Sequence, residues 1–167
     1  MKRLLSLMTI LVLFSCSNDD NNIMPNGEEI LGVWEKTYEI SNEDYPDLED
    51  EDYDYVRQFE FLDDETFESY TFLRNTSTNT IEGYSMQMKG TFTTEGNRMN
   101  LIYDQWNSNT EASEFVSLDE LELIQEDVEW SCDFSIDKEE LLFDFDPCGP
   151  LENCVGEITL ERVIKAL

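Results

Sequence analysis

The chain contains no histidine, and its 10 lysine and arginine residues face 39 aspartate and glutamate residues, which gives a formal net charge of −29. The lack of histidine excludes Ser-His-Asp and Cys-His catalysis and any metal site built on imidazole. The scarcity of basic residues excludes binding to nucleic acid or to anionic lipid headgroups through a basic patch. The 167 residues are 40% hydrophobic and 12% aromatic, which predicts one folded domain with a packed core.

Catalytic motifs are absent as well. The sequence shows no nucleophile elbow, no glycine-rich phosphate loop and no metal-ligand signature. The carboxylate pairs that a glycosidase needs arise by chance among 39 acidic residues, so they indicate nothing. We therefore expect a protein that is not an enzyme and that carries no cofactor.

Long apolar runs are also scarce, and residues 4–14 form the one at the N-terminus, directly after Lys2 and Arg3. A helix of this length spans about 16 Å, which is about half of a bilayer core. The run is therefore too short to cross a membrane, and its positive flank predicts a secretory signal peptide.

The run ends at Leu13-Phe14-Ser15-Cys16, which resembles the lipobox of bacterial lipoproteins. The resemblance implies that residues 1–15 are a signal peptide and that Cys16 is lipidated and becomes the mature N-terminus. The alternative is an ordinary signal peptide followed by a cysteine that is there by chance. Residues 16–28 are polar, which predicts a flexible tether between the lipid and a folded domain.

Two features after the cysteine indicate a location. Ser17 stands where an aspartate would favour retention in the inner membrane, and Asn18-Asp19-Asp20 resembles the acidic export tag of some Gram-negative lipoproteins. We therefore expect a lipid-anchored outer-membrane protein that is exposed at the cell surface, with the periplasmic face as the alternative. The lipid on Cys16 would be its contact with the membrane.

From residue 30 onward, the hydrophobic pattern has a period of two. In residues 84–92 every even position is apolar or glycine, and residues 130–136 repeat the alternation. This pattern is typical of antiparallel strands with one face in the core. Residues 118–124 fit a helical turn as well as a strand. Strands are predicted near 31–41, 56–63, 66–74, 83–94, 98–104, 114–124, 129–136, 140–146 and 156–163.

Short acidic or glycine-containing turns separate the predicted strands, at residues 62–65, at Gly96-Asn97 and near Asp137. Eight or nine meandering strands favour an all-β fold that closes on itself, because closure removes exposed sheet edges. We predict a single antiparallel up-and-down β-barrel over residues 29–167.

The segment Ile30-Leu31-Gly32-Val33-Trp34 opens this barrel and resembles the Gly-x-Trp signature of lipocalins and bacterial lipocalin-like lipoprotein domains. The resemblance implies that Trp34 plugs the closed end of the barrel and that Arg162, late in the last strand, packs over its ring. It also implies a cavity that binds a small hydrophobic or amphiphilic molecule. We expect the protein to be a monomer.

A set of large side chains shares the inward parity of the strands. They would either line a cavity for one small apolar ligand or fill the interior themselves. The candidate ligand-binding residues are Trp34, Tyr38, Tyr84, Met86, Met88, Phe92, Trp130 and Phe134.

Residues 43–54 form an acidic run, in which Asp50, Asp52 and Asp54 match the beginning of a calcium loop. The rest of an EF-hand is missing, because Tyr55 and Phe61 stand where glycine and glutamate are required. Weak Ca²⁺ association through charge density remains one interpretation, and a mobile acidic loop that meets no metal is the other.

Four cysteines are present, of which Cys16 is assigned to lipid. Cys148 and Cys154 lie in one loop rich in proline and glycine, where a disulfide between them would staple the loop. Cys132 has inward parity, which predicts a buried and inert thiol. The alternative is a bridge between Cys132 and one of the loop cysteines.

Two functions are compatible with these features. The first is a lipid-anchored lipocalin-like module that binds a small hydrophobic or amphiphilic ligand without catalysis. The second is an acidic interaction or structural lipoprotein whose barrel is filled by its own side chains.

Overall fold

A computed structural model of the protein describes residues 29–40, 53–109, 115–125, 127–146 and 156–164, and these residues lie almost entirely in strands. One turn of 3₁₀ helix, Leu118–Glu120, is the helical element of the described ranges. None of the helical structure in these ranges has the length and apolar composition needed to span a membrane. The strands are β1 Gly32–Glu39, β2 Tyr53–Phe61, β3 Thr66–Asn75, β4 Ile81–Glu95, β5 Arg98–Ser108, β6 Glu122–Gln125, β7 Val128–Asp137, β8 Glu140–Phe145 and β9 Glu157–Arg162.

Eight of these strands form a closed antiparallel barrel in the order β1-β2-β3-β4-β5-β7-β8-β9, and β9 pairs back onto β1. The short strand β6 pairs with the end of β5, beyond the part of β5 that pairs with β7. The predicted all-β, up-and-down barrel of eight or nine strands is confirmed.

Short turns close one end of the barrel, which we call the closed end. Gly96 has φ 62° in the turn between β4 and β5, and Lys138 has φ 58° in the turn between β7 and β8. Glycine supplies this left-handed conformation at little steric cost, so the predicted turn at Gly96-Asn97 has the expected geometry. The opposite end of the barrel, where β1 ends at Glu39 and β2 begins at Tyr53, we call the mouth.

The prediction of a strand over residues 114–124 is largely wrong. Val116 makes an isolated bridge with Tyr84, and Ser117 then begins the 3₁₀ turn. The carboxylate of Glu120 accepts hydrogen bonds from the backbone N–H and the hydroxyl of Ser117, at 3.1 and 2.7 Å. This Ser-x-x-Glu capping box gives the polar groups of the turn hydrogen-bond partners within the turn itself. Strand pairing therefore resumes only at Glu122.

The closed half of the barrel is filled by apolar side chains that are at most 5% exposed. Phenylalanine rings from three strands meet edge to face, with Phe61 to Phe92 at 5.0 Å and Phe59 to Phe143 at 5.8 Å between ring centroids. Such pairs add specificity to the burial of apolar area. The main members of this packed core are Trp34, Phe59, Phe61, Phe67, Phe92, Met99, Leu101, Phe134, Leu141, Phe143 and Leu160.

Trp34 and Arg162 join the first and last strands at the closed end, where they are register partners. The guanidinium of Arg162 lies 4.0 Å from the centroid of the Trp34 ring, which is the arrangement implied by the lipocalin resemblance. The same guanidinium donates to the carbonyls of Leu31, at 3.0 Å, and Glu29, at 2.6 Å. Trp34 Nε1 donates to the carbonyl of Ile30 at 2.7 Å. Arg162 therefore fastens the segment before β1 to the end of β9.

Replacing Arg162 with methionine is expected to lower the free energy of unfolding by about 2–4 kcal/mol, because it removes a cation–π contact and leaves carbonyl groups without a donor. Urea denaturation of the full chain measures the change. Arg98→Met is the matched control, because Arg98 forms its ion pairs with Asp133 and Asp146 on the outer surface. Equal losses of stability in the two variants would contradict the role assigned to Arg162.

Candidate functional site

Five buried polar atoms have no hydrogen-bond partner within the part of the chain that the structure describes, and all five belong to side chains that point into the barrel. They are Arg57 Nε, Ser69 Oγ, Thr71 Oγ1, Tyr103 OH and Trp106 Nε1. Ser69 and Tyr103 are 0% exposed and Thr71 is 1% exposed. Buried polar groups are almost always paired, so a group of five requires an explanation. We call these five residues the inner polar cluster.

Strand register brings the inner polar cluster together. Arg57 on β2 pairs with Thr71 on β3, and Ser69 lies two residues away on the same face as Thr71. Ser69 pairs with Met88 on β4, and Met88 pairs with Trp106 on β5. The cluster therefore covers the inner wall of β2, β3 and β5, with methionine side chains of β4 between its members.

Tyr103, on β5, interacts electrostatically with Arg57, on β2, across the interior of the barrel. Burial raises the pKa of its phenol, and the positive charge of Arg57 partly opposes this rise. The hydroxyl therefore stays protonated at neutral pH and can donate a hydrogen bond. Its ring packs against Trp130, with 5.0 Å between ring centroids, and Trp130 in turn contacts Trp106 at 6.0 Å.

The apolar part of this region consists of methionine and tryptophan. Met88 is fully buried, while Met86, Trp106 and Trp130 are half-buried and pack against the core. Methionine is flexible and polarizable, which suits a wall that adapts to an occupant. Side chains that could hydrogen-bond a polar group therefore lie beside side chains that could cover an apolar one.

A second cation, Lys36, faces Arg57 of the cluster on the inner wall. Lys36 on β1 is the register partner of Arg57 on β2. The Lys36 ammonium lies 5.2 Å from the centroid of the Tyr38 ring, and the Arg57 guanidinium lies 5.6 Å from that of Phe59. Like charges at directly opposite strand positions destabilise a sheet.

A groove of about 530 Å³ runs along the seam between β1 and β9. The two strands are paired at Trp34–Arg162 and Glu35–Glu161, whereas the β1–β2 register covers the whole of β1. Lys36 lines this groove together with Thr159 and Glu161. Of the two facing cations, Lys36 therefore borders a surface groove, whose other lining residues include Glu35 and Arg74.

The structure brings most of the sequence-predicted ligand-binding residues to the inward face. Trp34, Met88, Phe92 and Phe134 are at most 5% exposed, and Met86 and Trp130 are half-buried. Trp34, Phe92 and Phe134 belong to the packed closed half, whereas Met86, Met88 and Trp130 surround the inner polar cluster. Tyr38 is 38% exposed at the mouth, where its ring meets Tyr55 at 5.9 Å.

The prediction that Tyr84 faces inward is wrong. Met86 pairs with Thr71, whereas Tyr84 pairs with Phe72, because a bulge in β4 inserts one residue between these two pairs. One extra residue reverses the side-chain alternation. The ring of Tyr84 therefore packs against Tyr70 and Phe72 on the outer face, at 5.9 Å from each.

Sequence reasoning missed the polar members of the site. Arg57, Ser69 and Thr71 hold inward positions in stretches where apolar residues otherwise alternate, such as Phe67-x-Ser69-x-Thr71-x-Leu73. A polar residue at a core-parity position was therefore the signal that could have found them. Tyr103 and Trp106 share the inward face of β5 although they are three positions apart, because the β4–β5 pairing shifts register between Lys89 and Gly90.

Cys132 is a free, buried cysteine, so the alternative of a bridge between Cys132 and a loop cysteine is wrong. Burial raises the pKa of its thiol to about 12, which keeps the thiol protonated and unreactive. Cys148, Cys154 and the lipidation site Cys16 lie outside the described residues.

Of the predicted calcium ligands, Asp50 and Asp52 also lie outside the described residues, whereas Asp54 lies on β2, where its carboxylate is 3.7 Å from the Arg74 guanidinium. Within the ranges that are described, no group of three potential metal ligands is present. The chemistry of the site therefore lies in hydrogen-bond donors, two cations and an adaptable apolar wall.

Searches found no matching family model, curated protein or solved structure for this chain.

Proposed function

We propose that the chain is a lipid-anchored, lipocalin-like binding protein that holds a small amphiphilic molecule, without catalysis, in the mouth-side half of its barrel. The observation that carries this proposal is the inner polar cluster, Arg57, Ser69, Thr71, Tyr103 and Trp106, whose buried polar atoms have no partner among the described residues.

The energetic cost of the cluster supports a binding role. Each buried polar group without a partner costs about 1–3 kcal/mol. The closed half of the same barrel shows that this chain can fill an interior with phenylalanine, leucine and methionine. A barrel that served only as a stable scaffold would gain stability from apolar residues at the cluster positions. Polar groups kept at such a cost are typical of a site that is completed by a ligand.

The lipocalin-like assignment is supported by the barrel and by the Trp34–Arg162 contact at its closed end. The lipobox-like segment before Cys16 and the polar tether over residues 16–28 support an anchored protein in the outer membrane. We propose that the barrel is displayed at the cell surface as a monomer, since its high negative charge favours a soluble, solvated exterior.

The proposal is tested by titrating the full-length chain, reconstituted in lipid nanodiscs, with decanoate, decanol and decylammonium. Tryptophan emission reports binding, because Trp106 and Trp130 border the proposed site. Titration of the Trp106→Phe variant identifies the part of the signal that comes from the site, and empty nanodiscs give the partition of each probe into lipid.

Saturable binding of at least one probe, with a tryptophan signal that is reduced in Trp106→Phe, is the expected result. A signal that none of the three probes changes would overturn the proposal. It would favour the second function, an acidic interaction lipoprotein with a filled barrel.

A further inference from the structure

The charges inside the barrel are opposite in sign to those of the whole chain. The sequence holds 39 acidic and 10 basic residues. The register of the eight barrel strands defines which positions point inward. At these positions there are three basic residues, Lys36, Arg57 and Arg162, and there is no aspartate or glutamate. An interior of this sign in such an acidic protein indicates that its charge serves a purpose inside the barrel.

The three inward cations differ in what they contact. Arg162 is occupied by the Trp34 ring, two backbone carbonyls and the carboxylate of Glu139. Lys36 and Arg57 form no ion pair with any residue that the structure describes, although Arg74, Lys89 and Arg98 on the outer surface all do. Among the cations on described strands, Lys36 and Arg57 are thus the two without an ion pair, and they face each other inside the barrel; Lys138, in the turn between β7 and β8, is the other described cation without one.

The hydrogen-bonding character of the neighbouring groups agrees with this sign. Arg57 Nε and Trp106 Nε1 can only donate, and the hydroxyls of Ser69, Thr71 and Tyr103 can also donate. Donors without a competing carboxylate suit an acceptor that carries negative charge. A cationic head group at this position would be repelled by Lys36 and Arg57.

We infer that the ligand is an amphiphilic organic acid, whose anionic head group lies between Lys36 and Arg57 and whose apolar body packs on Met86, Met88 and Trp106. This inference rests on the proposed function, since it names the chemical class that the site would accept. An anion between the two cations would remove the like-charge repulsion of the register pair and supply acceptors to the inner polar cluster.

The test compares decanoate with decanol, which share a tail and differ in head-group charge, by the tryptophan titration described above at neutral pH. Decanoate is expected to bind at least about ten-fold more tightly than decanol, as charge-assisted hydrogen bonds imply. The preference is expected to fall below about three-fold in Arg57→Met and to weaken in Lys36→Met. Arg74→Met, which removes an outward arginine from β3, is the matched control and is expected to keep the full preference.

The outcomes separate this inference from the proposed function. Equal affinity for decanol and decanoate, or a preference that survives both Arg57→Met and Lys36→Met, would overturn the acidic head group while leaving a binding barrel. Failure of every probe to bind would overturn the proposed function itself. Urea denaturation of each variant shows whether a loss of preference comes from a loss of fold.

Discussion

Gly90→Ala is expected to unfold the barrel or to lower its free energy of unfolding by at least about 4 kcal/mol. Gly90 lies on β4 at the register shift opposite Tyr103 of β5. A Cβ added there would come within 1.8 Å of the Ile102 carbonyl oxygen and 3.0 Å of the Tyr103 Cα. These are backbone atoms, so no side-chain rotation relieves the clash, and the two strands would have to separate.

The loss is large against the total stability of a small domain, which is about 5–15 kcal/mol. Far-UV circular dichroism and urea denaturation measure it. Gly156→Ala is the matched control, because nothing lies within 4 Å of a Cβ at that position. Its stability should stay within about 0.5 kcal/mol of the wild type. A Gly90→Ala protein as stable as the control would mean that β4 and β5 do not approach each other in this register.

Arg57→Met is expected to have the opposite effect and to raise the free energy of unfolding of the unliganded chain by about 1–2 kcal/mol. The guanidinium has a buried Nε without a partner among the described residues and lies directly opposite Lys36. Methionine has a similar length and removes both the desolvation cost and the like-charge repulsion. It loses the contact of the guanidinium with the Phe59 ring at 5.6 Å, which is worth about 0.5–1 kcal/mol and offsets part of the gain.

Urea denaturation without added ligand checks the sign of this change. Arg74→Met is the control, because Arg74 points outward and pairs with Glu35 at 2.9 Å. That variant should lose about 1–3 kcal/mol, because the charge-assisted hydrogen bond between Arg74 and Glu35 is half-buried. A destabilised Arg57→Met protein would show that Arg57 holds the barrel together and is not kept for binding.

The fold was largely predictable because its determinants are local. Alternation with a period of two places Trp34, Met88 and Phe134 on the inward face, and a turn glycine such as Gly96 marks where a hairpin reverses. Alternation fails where the pairing is irregular. The bulge that turns Tyr84 outward depends on how β3 and β4 are paired, and no residue type in β4 indicates that a bulge is present.

The candidate site was less accessible to sequence reasoning, because it depends on register between strands that are distant in sequence. The polar residues at inward positions, such as Ser69 and Thr71, were visible as exceptions to the alternation. That Arg57 lies opposite Lys36 and near Tyr103 follows only from the assembled barrel. The residues that the alternation did find in the closed half, such as Phe92 and Phe134, fill the core and are not members of the inner polar cluster.

NMR of the methionine methyl groups tests most directly whether the mouth-side half of the barrel is a binding site. The chain is labelled with ¹³C at the methionine methyls and titrated with decanoate. Met86 and Met88 border the inner polar cluster, and Met99 lies in the packed closed half as an internal control. We expect the resonances of Met86 and Met88 to shift and to show NOEs to the decanoate chain, while Met99 does not change. Resonances of Met86 and Met88 that stay unchanged at saturating decanoate would contradict a binding site inside the barrel.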